Sequence, residues 1–215
     1  ATLAWSGYGL MAAAVTTLLA LPLAFLLVRY PGRFATLLER TAMTVQGVPG
    51  IVVALAIVSI TVRLLQPLYQ SAPALVGAYA ILFLPLAVVS VRAALSHVQV
   101  RLEETARSLG LGWRATLTRV VLPLAAPGLG AAATMVFISV VTELNATLLL
   151  SPIGTRTLAT QVWSDTATLA FAAAAPYAAL LVPLSLGASG LLFPLPGRPA
   201  VRNCAAPLLP GTPPP

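Results

Sequence analysis

The chain has 215 residues, of which 59% are apolar and 8% charged, with a mean hydropathy of +0.95 and a formal net charge of +7. A soluble domain carries about 25% charged residues, so this chain has too little polar surface to cover itself in water, and hydrocarbon is its natural solvent. The positive charge does not make a nucleic-acid-binding surface: all twelve basic residues are Arg, and they fall in gaps between apolar runs, not on one face or in one block.

Crossing a core about 30 Å thick takes about 20 apolar residues. Five runs qualify: Tyr8 to Val28, about Ala42 to Leu65, about Ala74 to Leu95, about Leu124 to Leu150, and about Thr168 to Phe193. They lack period-2 alternation, so helices and not barrel strands are predicted, and the fold class is an all-α polytopic helical bundle. The first run has no basic segment before it and is long enough to span, so it is expected to be a span and does not read as a cleavable signal peptide. Pro22, Gly47, Pro49, Gly50, Pro85, Pro176 and Pro183 fall inside these helices. Such breakers read as ordinary kinks in packed helices or, at Val48-Pro49-Gly50, as a loosening of a pathway-lining helix. Gly128 and Ala132, four apart, permit close helix approach.

Arg29, Arg33, Arg40, Arg92, Arg101, Arg107, Arg114, Arg119, Arg198 and Arg202 collect on one side of these spans, whereas Arg63 and Arg156 lie on the other. The positive-inside rule places the ten in the cytoplasm, with the N-terminus of the segment outside and its C-terminus inside. Residues 196–215 hold seven Pro and no helical pattern, so this tail is expected to be disordered. His97 and Cys204 stand alone, which leaves no metal cluster and no intramolecular disulfide.

The longest polar stretch, residues 96–123, lies between the third and fourth spans. Leu102, Ala106 and Leu109 fall at i, i+4 and i+7 and predict one apolar stripe on a short helix. Glu103 and Arg107 are spaced for an i, i+4 ion pair. Gly110-Leu111-Gly112 breaks that helix. A second short helix follows with Trp113, Leu117, Val120 and Val121 on one face, and Leu122-Pro123 ends it. Pattern alone leaves two possibilities, a helix lying on lipid head groups and a docking element for a cytoplasmic partner.

The spacing of this loop resembles the EAA motif of binding-protein-dependent ABC import permeases: Glu-Ala-Ala, three residues, Gly, nine residues, Ile, one residue, Leu-Pro. Here it reads Glu104-Thr105-Ala106, Arg107 to Leu109, Gly110, Leu111 to Arg119, Val120, Val121, Leu122-Pro123. Thr105 for Ala and Val120 for Ile are mild departures. The resemblance covers the chain from Tyr8 to about Leu192. It implies a permease domain over residues 1–195 in a bacterial inner membrane, with about five spans and a cytoplasmic coupling helix. It also implies three protein partners: a cytoplasmic ATPase subunit, a second permease half (a second copy, another chain or a fused part of the same chain) and a periplasmic substrate-binding protein. In the family the coupling helix sits in a cleft of the ATPase, which assigns Glu104, Thr105, Ala106, Gly110, Val120, Leu122 and Pro123 to ATPase coupling. Gly110 permits a tight turn or a close approach, and Glu104 is placed to cap or to pair with a basic group of the ATPase. Because the first run begins almost at residue 1, the chain reads as a fragment or as the second half of a longer permease.

Within the fourth run, Thr142-Glu143-Leu144-Asn145 interrupts the apolar sequence. A carboxylate at a helix centre costs about 2.5–3.5 kcal/mol on insertion scales. Counted as one helix from Pro127, Glu143 lies roughly 24 Å along it, toward the outer side. Glu143, and more weakly Asn145 and Gln46, are candidates for the translocation path; the competing role for each is hydrogen bonding between helices. The stretch Glu143 to Leu150, with Thr157-Leu158-Ala159-Thr160 and Trp163, is similar to the ferric-iron branch of these permeases; related branches handle thiamine, polyamines and sulfate.

The sequence has no Gly-rich phosphate loop of the Walker type, so ATP hydrolysis is expected in a separate subunit, and no cofactor is implied. A membrane enzyme needs paired catalytic groups inside spans, and Glu143 has no such partner at membrane depth. A scaffold or sensor that uses the loop only to bind a partner is the remaining alternative.

Overall fold

Every span begins where the chain turns from polar or Gly/Pro-rich residues into a long apolar run, and the computed structural model, which describes residues 2–30, 32–152, 154–155 and 157–192, turns each run into helix. Arg156, Arg198, Arg202, Cys204 and the segment 196–215 lie outside the described residues. The helices are α1 (Thr2–Arg29), α2 (Arg33–Gln46), α3 (Gly50–Leu64), α4 (Ala72–Ser96), α5 (Val100–Ser108), α6 (Trp113–Thr116), α7 (Leu122–Thr142), α8 (Asn145–Leu150), α9 (Leu158–Ala167) and α10 (Phe171–Leu192). No strand occurs among the described residues, and the chain is a helical bundle.

The centre of the bundle is α1, α4 and α7, which pack against one another. Their contact is built from small residues. Ala12, Thr16, Ala20 and Ala24 recur every four positions on α1, and all four are fully buried. Between lipid-soluble helices the association comes from close packing, which small side chains permit. Gly128 of α7 follows the same rule: a Cβ added there would sit 2.5 Å from the Ala94 Cβ of α4. The predicted close approach at Gly128 and Ala132 is therefore present, and Ala132 is buried.

Three described helical stretches are individually long and apolar enough to cross a bilayer: Gly7–Arg29, Ala72–Ser96 and Trp113–Thr142. The second run expected from the sequence is not one straight helix. It breaks at Gly47-Val48-Pro49, where α2 and α3 meet at a 100° bend, so the pair counts as a fourth span only as a broken one. The N–H of Val52 bonds back to the Pro49 carbonyl and restarts the helix, whereas Pro49 itself has no N–H to continue α2. The fourth run is also divided, after Thr142. The fifth run forms α10, Phe171–Leu192, with Phe171–Gly187 apolar throughout most of its length.

Pro123 does not end the second helix of the loop. Helix α6 passes through a π-helical turn, Leu117–Val121, straight into α7. The Leu122 N–H bonds the Leu117 carbonyl, five residues back. A proline ring collides with the carbonyl four residues before it and brings no N–H of its own. The wider turn next to Pro123 absorbs both defects, so α6 and α7 form one continuous rod.

Candidate functional site

Two regions carry the polar groups singled out in the sequence, one in the 96–123 loop and one where the broken helices meet.

In the loop, α5 ends as the Gly at position 110 dictates. Gly110 has φ +85°. Its N–H bonds the Arg107 carbonyl at 2.9 Å, and the Leu111 N–H bonds the Ala106 carbonyl at 3.1 Å. These two bonds, with a left-handed residue between them, are the Schellman termination that glycine favours. The chain then re-enters helix at Trp113, which places α5 and α6 side by side.

The expected apolar stripe is divided between two faces. Ala106 is buried, but Leu102 and Leu109 are exposed, Leu109 by 77%. The inward face carries Glu103, which is 4% exposed. Glu103 does not pair with Arg107. Its Oε1 accepts from Nη2 of Arg29, the last residue of α1. The same Nη2 donates to the Val98 carbonyl at 3.1 Å. Arg107 lies over the Trp113 ring, 5.2 Å from its centroid. Trp113 also meets Phe25 of α1, edge-on at 5.2 Å and 74°. The i, i+4 spacing gave Glu103 a local partner because a single helix is all that spacing describes; α1 offers a buried one.

Of the motif residues, Glu104 and Thr105 are exposed, and Glu104 makes no ion pair among the described residues. The Thr105 hydroxyl donates to the Arg101 carbonyl at 2.8 Å and so serves its own helix. Val120 and Leu122 are half-buried on the π-helical rod, and Pro123 is exposed.

The second region is the junction of the breaks. Glu143 is not at a helix centre. It follows the last residue of α7 with extended backbone, φ −73° and ψ 122°. Its Oε1 accepts from the backbone N–H of Asn145 at 2.9 Å and of Ala146 at 3.3 Å, so the carboxylate caps α8. An anion at a helix N-terminus meets free N–H donors and the positive end of the dipole. The helix-centre insertion cost is thus offset by a geometry the sequence did not announce.

The Thr147 hydroxyl donates to the Glu143 carbonyl at 2.6 Å. With that proton committed, Thr147 Oγ1 accepts from the Tyr79 hydroxyl of α4 at 2.7 Å. This chain of bonds fixes the break to the bundle centre. Tyr79 and Thr147 are 2% and 1% exposed. Neither was singled out in the sequence, although a Tyr and a Thr inside two apolar runs are a readable signal.

Across the junction stands Gly50, the first residue of α3. A Cβ placed on it would lie 3.8 Å from Glu143 Oε1 and 3.9 Å from Asn145 Nδ2. The structure therefore brings together Glu143, Asn145 and the Val48-Pro49-Gly50 break. Gln46 is exposed at the end of α2. A separate cleft of about 240 Å³ between α1, α2 and α4 is lined by Leu23, Leu38, Val45, Leu84 and other almost wholly apolar groups. None of its lining residues belongs to α7 or α8, and it offers nothing to hold a charged substrate.

A small-residue bundle, two broken helices meeting at polar groups and a short helix pair tied to α1 by side chains define a helical bundle of the membrane-spanning kind. The family of binding-protein-dependent transport system inner membrane components matches residues 5–192, and the chain belongs to it. It is 36% identical over 177 residues to the Fe(3+)-transport system permease protein FbpB 2 of Haemophilus influenzae, covering 82% of this chain and 34% of that protein. It is 36% identical over 129 residues to the "Probable molybdenum ABC transporter permease protein" of Haloferax volcanii, covering 60% of this chain and 48% of that one. The chain thus spans between a third and a half of the length of these two relatives. The MetNI methionine ABC transporter in an inward-facing conformation shares the fold, with a TM-score of 0.64 at 18% identity, over 88% of this chain and 90% of that one.

Proposed function

We propose that the chain is the transmembrane permease domain of an ABC importer, occupying residues 1–195, with the 96–123 loop in the cytoplasm and docked on a separate ATPase subunit. The observation that carries this is the EAA spacing realised as a Schellman-terminated helix pair with Leu102, Leu109 and Glu104 turned outward. An exposed apolar pair beside a carboxylate suits a protein cleft better than open solvent. The N-terminus of the segment lies outside and its C-terminus inside. Together with a second permease half it encloses the path for a substrate delivered by a periplasmic binding protein.

Ferric iron is the proposed substrate. It is supported by the likeness to the Fe(3+)-transport permease and by a carboxylate at the junction of the breaks. In transporters, half-helix ends and unwound backbone at a break are where ions and charged substrates meet the protein. Glu143, Asn145 and, on the adjacent helix end, Gln46 are the proposed pathway residues. The test is ATP hydrolysis by the reconstituted transporter. A permease gives hydrolysis that rises when the ligand-loaded binding protein is added; a scaffold gives none. Uptake of ferric iron against molybdate then decides the substrate.

A further inference from the structure

The attachment of α5–α6 to the rest of the chain is unusual in its chemistry. Arg29 and Glu103 are 10% and 6% exposed at their side chains, and the Arg29 Nε is buried without a hydrogen-bond partner. A buried ion pair with an unmet donor is a poor way to gain stability, since desolvation offsets most of the attraction. What such a pair does supply is one defined geometry. Here that geometry is doubled. Phe25 and Arg29, one turn apart on α1, hold Trp113 of α6 and Glu103 of α5 respectively. Arg107 over Trp113 ties α5 to α6, and the Arg29 bond to the Val98 carbonyl holds the linker from α4. Three elements of the loop therefore meet the last turn and a half of α1.

We propose that Arg29 and Glu103 are positioning residues for transport. They latch α5–α6 to α1, so that displacement of the loop by the ATPase is passed directly to α1 and its packed partner α4, and not only to α7 through the continuous helix. This rests on the proposed docking of the loop on an ATPase. Helix α3 and the capped α8 then receive the motion through the bundle centre, by way of the Tyr79–Thr147 bond.

The test is a double-mutant cycle on the reconstituted importer, with thermal stability and binding-protein-stimulated ATP hydrolysis measured on each variant. Arg29→Met or Glu103→Leu alone leaves one buried charge unmatched, so both single variants lose stability. The double variant removes both charges and regains stability. Stimulation of hydrolysis falls at least about fivefold in all three variants, because the latch is absent in each. If stimulation returns in the double variant together with stability, the pair is only structural and the latch is refuted. Wild-type stimulation in both single variants refutes it as well. A wild-type chain that binds no ATPase overturns the docking assignment itself and is distinguishable from either result.

Discussion

The two ends of the molecule are built on opposite principles. At the loop end, α5–α6 is fixed by side chains that reach across helices: a buried ion pair, an aromatic edge contact and a cation over a ring. Helix continuity through the π-helical turn adds stiffness there. At the junction of the breaks, helices stop and restart, and Glu143 is held mainly by N–H groups two and three residues away. Anchored elements transmit displacement; at the junction the cap is local, and the Tyr79–Thr147 bond ties α8 to α4. Under the proposed function, the anchored end is the input lever and the junction of the breaks lies on the path.

Breaking the anchored end has the largest expected effect. Glu103→Leu leaves the Arg29 guanidinium buried without its carboxylate and destabilises the protein by about 3–5 kcal/mol, read as a lowered thermal unfolding midpoint in detergent. The bundle centre comes next. Gly128→Val drives a side chain into Ala94, which a Cβ already meets at 2.5 Å, and overpacking of this kind costs about 1–3 kcal/mol.

At the junction the expected effects split by chemistry. Glu143→Leu removes the acceptor for two N–H groups and lowers stability by about 1–3 kcal/mol. Glu143→Gln keeps an oxygen for those bonds and leaves stability nearly unchanged, yet lowers iron uptake if the charge serves the path. Full uptake by the Gln variant reduces Glu143 to a cap. A modest stability change is expected at Gly110, where an added Cβ meets open space. Gly110→Leu costs about 1–2 kcal/mol for the left-handed backbone, inserts normally and loses stimulated ATP hydrolysis by obstructing docking; normal transport removes Gly110 from the mechanism.

Local spacing made the loop legible. Gly110, the turn it forms and the Leu-Pro entry to α7 depend on residues within about twenty positions of one another, and the motif fixed their order. The bundle class was legible from apolar run lengths, and the Gly128 contact from small-residue spacing. Three features were not. The break at Glu143 was hidden because apolar residues continue on both sides and hydropathy does not register a cap. Glu103 was given to Arg107 because helical spacing cannot see α1. The meeting of Gly50 with Glu143 joins residues from separate runs, and only the folded chain places them together. The Ala12, Thr16, Ala20, Ala24 stripe was readable by the four-residue rule applied to Gly128, but an Ala-rich helix offers many such registers.

The most direct measurement is the position of the loop in the assembled transporter. With Cys204 replaced by Ser and Ser108 by Cys, the expected result is a cross-link to the ATPase subunit and protection from an impermeant thiol reagent outside intact cells. Labelling of that cysteine from outside, with no cross-link, would contradict both the topology and the docking role of the loop.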